Sequence, residues 1–133
     1  MFMGQLLFKK CFVEPIRGGR KTTTLRRWVS PRVGAGERCF SRGVGWLLID
    51  SVEPIDRLDS LTDADARADG FENLRQMKEA LRRIYPDTEG DGRGWFRVAF
   101  RLDPTAVMLQ ALNAALIQRR AEKTAARRRD ASC

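Results

Sequence analysis

The sequence contains no histidine, and this absence excludes the side chain that proteins use most often for acid–base catalysis and for binding metals. Its three cysteines, Cys11, Cys39 and Cys133, are widely spaced and odd in number, which indicates reduced thiols rather than a disulfide framework. Three scattered cysteines do not make a zinc site without histidine, so we expect neither a metal ion nor another cofactor. Any catalysis must therefore use lysine, serine, threonine, tyrosine, cysteine or carboxylate side chains.

Long hydrophobic runs are also missing. No apolar segment approaches the length of a membrane-spanning helix, so we expect no membrane association. Residues 1–8 are mostly apolar, but Lys9 and Lys10 follow them instead of preceding them, and this order is not typical of a secretory signal. Together with the reduced cysteines, these features predict a cytoplasmic protein.

Basic residues outnumber acidic ones, and the excess is unevenly distributed. The 133 residues carry a formal net charge of +8, and a chain of this length is typical of one domain with an appendage. Residues 1–49 hold ten cations and two anions, residues 50–103 hold nine and thirteen, and residues 104–133 hold six and two. Positive charge at both ends favours a polyanionic partner such as RNA, although a basic surface that only confers solubility would have the same composition.

Hydrophobic periodicity and turn residues predict short strands with helices between them. The predicted strands are residues 6–8, 21–28, 38–42, 46–55 and 95–102, and the predicted helices are residues 9–17, 62–70, 73–84 and a last helix from residue 104. Thr62 and Asp65 form a capping-box pattern at the start of the second helix. This order is not the regular alternation of a parallel sheet. It predicts an α+β fold, a small mixed β-barrel.

Apolar positions divide the chain into a core-forming domain and a helical extension. We expect the third helix to face the core with one stripe, formed by Leu74, Met77, Leu81 and Ile84. The apolar run around Trp46 is expected to be buried on both faces. Residues 1–103 would form the domain, and residues 104–133 an amphipathic helix that is docked at its start and frays into a basic tail.

One stretch, residues 18–28, concentrates hydrogen-bond donors more than any other part of the chain. Two glycines form a turn, four cations and three threonines follow, and Trp28 closes the run. Threonine and tryptophan favour a strand, which could present these side chains to an anion, a nucleic-acid backbone or a polar substrate. The alternative is a solvated edge strand whose positive charges prevent edge pairing.

This stretch belongs to a longer pattern that resembles the ASCH domain. The pattern is Ile16-x-x-Gly19-Arg20-Lys21-Thr22-x-Thr24-x-Arg26, then Val33-Gly34, Val52-Glu53, Leu61-Thr62-x-x-x-Ala66-x-x-Asp69-Gly70-Phe71 and Ile84-Tyr85-Pro86. The resemblance covers roughly residues 5–102, and it implies a small PUA-like β-barrel with helices packed at its openings. It also implies one of three functions known in that family: RNA binding, coactivator-like protein interaction, or deacetylation of acetylated cytidine by an amidohydrolase branch.

The resemblance to the amidohydrolase branch implies catalytic roles for Lys21, Thr24 and Asp69, where aspartate stands in place of the family's glutamate. A threonine hydroxyl can attack an amide if a lysine of lowered pKa takes its proton, and a carboxylic acid of raised pKa can protonate the leaving amine. Two features oppose this chemistry. Lys21 and Thr24 would lie on opposite faces of a regular strand, and they converge only if the chain turns or bulges near Thr22, which the preceding glycines favour. Aspartate is also one methylene shorter than glutamate.

The sequence leaves three hypotheses. The first is a cationic pocket that binds RNA or a nucleoside, with Arg20 and Arg26 as polar contacts and Trp28 as a ring on which a base stacks. The second is metal-independent deacetylation of acetylcytidine or a similar amide by the three residues named above. The third is a protein-interaction module, which would have a protein as its partner.

Overall fold

The computed structural model of this protein describes residues 6–86, 88 and 90–131. The chain divides into two compact units, Met1–Leu102 and Asp103–Cys133. In chain order the elements of the described residues are α1 (Lys10–Arg17), β1 (Thr23–Trp28), β2 (Arg38–Ser41), β3 (Gly45–Ile55), a 3-10 turn (Leu58–Ser60), α2 (Asp63–Ala68), α3 (Leu74–Ile84), β4 (Gly94–Leu102) and α4 (Pro104–Ala131).

The four strands form one antiparallel sheet in the order β1-β4-β3-β2. The expected α+β class and the C-terminal helix are therefore confirmed. Within the described residues β1 and β2 are the two edges, so the sheet is not closed into a barrel. Residues 6–8, which were expected to form a strand, have no regular structure, and Arg26 holds this segment because its Nη2 donates to the Leu7 carbonyl at 2.7 Å.

Side chains cap the two helices between β3 and β4. The Thr62 hydroxyl accepts from the Asp65 backbone N–H at 3.2 Å, and the Asp65 carboxylate accepts from the Thr62 N–H at 2.8 Å, so the predicted capping box is confirmed. Asn73 caps α3 by accepting from the Gln76 N–H at 2.8 Å. These caps fix where both helices start, and the end of α2 positions part of the candidate site.

Two hydrophobic clusters lie on opposite faces of β1, because Leu25 belongs to one and Trp28, three residues later, to the other. The larger cluster contains Leu6, Ile16, Trp28, Val33, Cys39, Val44, Leu47, Ile49, Val98 and Phe100. The smaller cluster packs α2 and α3 against the sheet through Leu25, Leu61, Ala66, Met77 and Leu81. The expected stripe of α3 is thus buried at Met77 and Leu81, whereas Ile84 at the helix end is exposed.

The expectation that Trp46 is buried was wrong, because its side chain is 44% exposed. Strand alternation explains the difference: Leu47 and Ile49 point into the larger cluster, so Trp46 must point to the opposite face. That face is uncovered where β3 pairs with the short edge strand β2. A continuous apolar run therefore did not mean burial on both sides here.

The second unit is the helix α4, which continues through the basic segment to Ala131 instead of fraying after Arg119. Apolar and basic side chains follow one another along its axis, and the apolar ones are exposed, including Met108, Leu112 and Leu116. Among the described residues, no helix combines the length and the apolar character that crossing a membrane requires.

Candidate functional site

A cavity of about 120 Å³ opens beside the start of β1 in the first unit. Its polar lining includes Lys21, Thr24, Arg26 and Asp69, and most of the remaining lining is aromatic or aliphatic, including Phe8, Phe12, Leu25, Phe71, Leu81 and Tyr85. The three residues to which the ASCH resemblance assigns catalytic roles thus line one cavity, and Arg26 lies with them.

Lys21 lies at this cavity because it follows the turn that ends α1. Gly19, with φ of 77°, follows the helix, and the Arg20 N–H donates to the Pro15 carbonyl at 2.9 Å while the Gly19 N–H donates to Ile16 at 3.1 Å. This is the pattern of a Schellman motif, in which a left-handed glycine reverses the chain after the helix. The Lys21 N–H also donates to Pro15, at 3.0 Å, so the turn fixes the backbone of the lysine directly.

Lys21 and Thr24 line the same cavity because the regular strand begins only at Thr23. The chain at Thr22 is held by the end of α2, since its N–H donates to the Ala68 carbonyl at 2.7 Å. Strand alternation therefore does not apply across residues 21–24, and this is the departure from a regular strand near Thr22 that the convergence of the two side chains required. The two preceding glycines are the local signal for this departure, whereas the hydrogen bond to Ala68 has no signal in the sequence.

Asp69 lies at the end of α2, which has the same Schellman motif. Gly70 has φ of 99°, its N–H donates to Arg67 at 3.0 Å, and the Phe71 N–H donates to Ala66 at 2.9 Å. This confirms that glycine ends the helix, and Asp69, the last residue before this glycine, lines the cavity. Two helix ends built alike are thus each followed closely by a residue of the cavity lining, Lys21 after α1 and Asp69 after α2.

Lys21 and Asp69 form a buried ion pair, with side chains only 2% and 7% exposed. The Lys21 ammonium donates to Asp69 Oδ1 at 2.7 Å, to the Asp69 carbonyl at 2.6 Å and to the Thr23 carbonyl at 2.8 Å, so all three of its protons are used. The shorter aspartate thus reaches the lysine without difficulty. Sequence reasoning missed the Thr23 carbonyl, because a backbone acceptor has no residue signature.

Burial shifts both members of the pair towards their neutral forms. It lowers the pKa of the Lys21 ammonium, against the opposing effect of Asp69. It raises the pKa of the Asp69 carboxyl, against the opposing effect of Lys21. The two directions agree with each other, because moving one proton from lysine to aspartate removes both charges from a poorly solvated place. Such a pair can supply a base and an acid at the same time.

Replacing Gly70 with alanine is expected to lower the free energy of unfolding by about 1–2 kcal/mol, because a left-handed conformation is strained for any residue with a Cβ. Space is not the obstacle, since the added Cβ would lie 3.4 Å from the Lys21 stem, an ordinary contact. Urea denaturation checks this value. Gly94→Ala is the matched control: Gly94 has no positive φ and open space around it, and its replacement should change stability little. Equal effects of the two substitutions would contradict the argument.

Thr24 is buried, and its hydroxyl accepts from Arg26 Nε at 3.2 Å. The guanidinium also lies over the Phe8 ring, 5.0 Å from its centroid. A positive charge beside a hydroxyl favours its ionised form, so Arg26 is placed to support Thr24 as a nucleophile and to orient it for binding. Within the described residues no hydrogen bond joins the Lys21 amine to the Thr24 hydroxyl.

Aromatic rings form much of the cavity wall. The Lys21 ammonium lies 4.7 Å from the Phe12 centroid, and Phe12 packs edge-on against Phe71 with centroids 5.8 Å apart. On the other side Tyr85 packs edge-on against Trp95, at 5.4 Å. The site predicted from the sequence did not include the rings of Phe12, Phe71 and Tyr85. The one available signal was their position beside the motif residues, since Phe71 follows Gly70 directly.

The other two predicted binding residues lie elsewhere. Arg20 is exposed and is not among the described residues that line the cavity. Trp28 is 9% exposed and packs on Phe96 in the larger hydrophobic cluster, with ring centroids 6.0 Å apart. A buried ring offers no face to a base, so this placement argues against the predicted stacking role of Trp28. Strand alternation directs it inward, opposite to Leu25 and Arg27.

The described residues contain no cluster of three or more cysteine or carboxylate side chains placed to hold a metal ion. The site is instead defined by a buried lysine–aspartate pair, a threonine and an arginine in an aromatic cavity. The first unit is thus a small α+β domain in which the residues that follow two helices, Lys21 and Asp69, pair beside the edge strand β1 of an antiparallel sheet.

Comparison with known proteins supports this fold and extends no further. No family model and no curated protein matches this sequence. The crystal structure of hypothetical protein PH0355 is similar, with a TM-score of 0.59 and 12% sequence identity over 71% of this chain and 94% of that chain. At this identity the similarity shows a shared fold alone.

Proposed function

We propose that this chain is an ASCH-type domain that binds a nucleoside, free or at an accessible position in RNA, in the cavity at Lys21. The observation that carries the proposal is that Lys21, Thr24 and Asp69 converge on one cavity with aromatic walls. Lys21 and Asp69 are therefore neighbours in space although 48 residues separate them in the sequence. Aromatic walls with a few fixed polar groups are the usual composition of a small-molecule site.

The size of the cavity favours one planar ring. An apolar cavity of about 150 Å³ in another protein holds one benzene molecule, so about 120 Å³ suits a single pyrimidine ring better than a fused purine. The sugar and any phosphate would then lie outside the cavity, towards solvent. The exposed Arg20 is a candidate for such an outer contact.

The electrostatics of the cavity favour a neutral ligand. Lys21 is already compensated by Asp69 at 2.7 Å, and Arg26 donates to the Leu7 carbonyl and to Thr24. Inserting a phosphate would require breaking these bonds in a poorly solvated place. A pyrimidine base needs no such change, because its ring edge carries both hydrogen-bond donors and acceptors.

Calorimetric titration with cytidine, uridine, adenosine and ribose 5-phosphate tests the proposal. A pyrimidine nucleoside should bind in preference to the other two ligands. Thr24→Val should weaken binding by about three- to tenfold, the effect of losing one hydrogen bond. Thr22→Val is the matched control, because Thr22 is exposed and its loss should leave binding unchanged. If no nucleoside binds, or if both variants behave alike, the cavity is not a nucleoside site.

A second candidate function, deacetylation of acetylcytidine or a similar amide, is favoured by the geometry of the Lys21–Asp69 pair and by burial, which lowers the pKa of Lys21 and raises that of Asp69. In this reaction the uncharged Lys21 amine takes the proton of Thr24 Oγ1, and the oxygen attacks the acetyl carbonyl carbon. When the carbon–nitrogen bond breaks, Asp69 gives its proton to the leaving amine. Water then hydrolyses the acetyl ester on Thr24 and restores the hydroxyl. Lys21 must release the Thr23 carbonyl to reach Thr24, so the pair shown here is the resting arrangement.

A further inference from the structure

The mouth of the cavity differs chemically from its interior. Most residues that line the cavity are buried or half-buried, and the exposed ones are Leu7, Lys9 and Ile84. We call these three residues the cavity mouth. Leu7 and Ile84 are 62% and 39% exposed and supply apolar surface, whereas Lys9 supplies a positive charge. The outer part of any ligand that fills the cavity must therefore lie beside one cation and two aliphatic side chains.

The ammonium of Lys9 is not neutralised by the protein. In the described part of the chain it takes part in no hydrogen bond and no ion pair, and α1, which starts at the next residue, has no acidic residue in its first turn. Lysine binds phosphate groups as a flexible point charge. Many unpaired lysines lie on protein surfaces, but this one lies on the lining of a cavity, next to whatever occupies it.

Positive charge exceeds negative charge over the whole cavity lining. Within the described residues Asp69 is the only carboxylate on that lining, and its charge compensates Lys21 at 2.7 Å. Arg26 donates to two uncharged oxygens, those of the Leu7 carbonyl and the Thr24 hydroxyl. These bonds hold the interior groups in a poorly hydrated place. An anion is therefore favoured at the mouth, where it keeps most of its water, and not inside the cavity.

We propose that Lys9 binds the phosphate group of a pyrimidine nucleotide whose base lies in the cavity. This inference rests on the nucleoside site proposed above and adds a second contact to it. The uncharged base suits the interior, the sugar lies at the apolar part of the mouth, and the phosphate next to the sugar supplies the negative charge that faces Lys9. A free nucleotide and a nucleotide within RNA both carry such a group.

Calorimetric titration of the full chain with cytidine, cytidine 5′-monophosphate and cytidine 3′-monophosphate at low salt tests this inference. One of the two nucleotides should bind about two- to tenfold more tightly than cytidine, the usual effect of one charged contact at an exposed position. Added salt should reduce this preference, because salt screens exposed charges. The methyl ester of the better nucleotide distinguishes the two sources: equal affinity indicates a phosphodiester of RNA, and weaker affinity indicates a free nucleotide.

Lys9→Met should remove the preference, so that the nucleotide and cytidine bind alike, and Lys9→Arg should keep it. Lys10→Met is the matched control, because Lys10 is the next residue, carries the same charge and is exposed, but does not line the cavity. It should keep the preference of the wild type. If Lys9→Met keeps the preference too, or if Arg20→Met removes it instead, the phosphate does not bind at Lys9 and the inference is overturned.

The same titrations separate this inference from the nucleoside proposal. If cytidine binds and a phosphate adds no affinity, the inference is wrong and the nucleoside site stands. If the nucleotide binds no better than ribose 5-phosphate and Lys9→Met weakens both equally, Lys9 binds phosphate but no base enters the cavity, so the nucleoside proposal is wrong and the phosphate contact stands. If none of these ligands binds, both are wrong.

Discussion

Replacing Asp69 with alanine is expected to lower the free energy of unfolding by about 3–5 kcal/mol, because it leaves the ammonium of Lys21 buried without its partner. The lysine side chain is 2% exposed, so water cannot replace the lost carboxylate without opening the structure. Its bonds to the Asp69 and Thr23 carbonyls remain, but neither acceptor carries a full charge. Urea denaturation near neutral pH measures the loss.

The matched control for this prediction is the double variant Lys21→Met/Asp69→Ala, which removes both charges. It should recover most of the lost stability, because a buried pair contributes far less than the penalty of breaking it. If the double variant is as unstable as Asp69→Ala alone, the loss comes from packing or from the end of α2 and not from the unpaired charge.

The stability of Asp69→Ala should also rise with pH. Burial lowers the pKa of Lys21, and without Asp69 nothing from that carboxylate opposes the shift. The pKa of Lys21 is then lower in the folded state than in the unfolded state, so the unfolded chain binds more protons. Stability therefore increases from the lowered folded-state pKa up to about 10.4, where the unfolded lysine also loses its proton. A flat or falling dependence in this variant would contradict the assignment.

Local chemistry allowed much of the fold to be predicted from the sequence. Strands and helices were placed to within a few residues because alternation, glycine stops and the capping box at Thr62 each act over a short span. The motif resemblance predicted that Lys21, Thr24 and Asp69 belong to one site, and all three line one cavity. Both glycines of that motif, Gly19 and Gly70, have the left-handed φ that ends a helix.

The remaining features depend on contacts between distant parts of the chain. Thr22 lies before the regular strand and bonds to Ala68 on another element; the preceding glycines favour a turn there, but no pattern near residue 22 predicts this partner. The two tryptophans were expected the other way round, with Trp28 accessible and Trp46 buried, but Trp28 is in the core and Trp46 is exposed. Composition around each residue suggested the opposite, with arginines beside Trp28 and apolar residues beside Trp46. The burial of each tryptophan depends on which face of the sheet the rest of the chain covers.

If the cavity deacetylates acetylcytidine, Lys21→Met should slow the release of cytidine by about 10²- to 10⁴-fold, the usual effect of losing a positioned base. Arg32→Met is the matched control, because Arg32 is an exposed cation that does not line the cavity, so its rate should change little. The thermal melting of both variants shows whether each is folded during the assay. Free cytidine is measured by chromatography after incubation with the full chain.

The pH dependence of the same reaction separates catalysis from binding. The competent state of the Lys21–Asp69 pair holds one proton, on the aspartate, so the rate should fall at low pH when both groups are protonated and at high pH when neither is. Burial raises the pKa of Asp69 and lowers that of Lys21, so the bell-shaped pH–rate profile should be narrower than the interval between the ordinary pKa values of aspartate and lysine. The two apparent pKa values of this profile are properties of the coupled pair and not of either residue alone. Asp69→Asn should remove the acid and lower the rate across the whole range. If neither the wild type nor Asp69→Glu releases cytidine at high protein concentration, the pair serves to build a binding cavity and not to do chemistry in it.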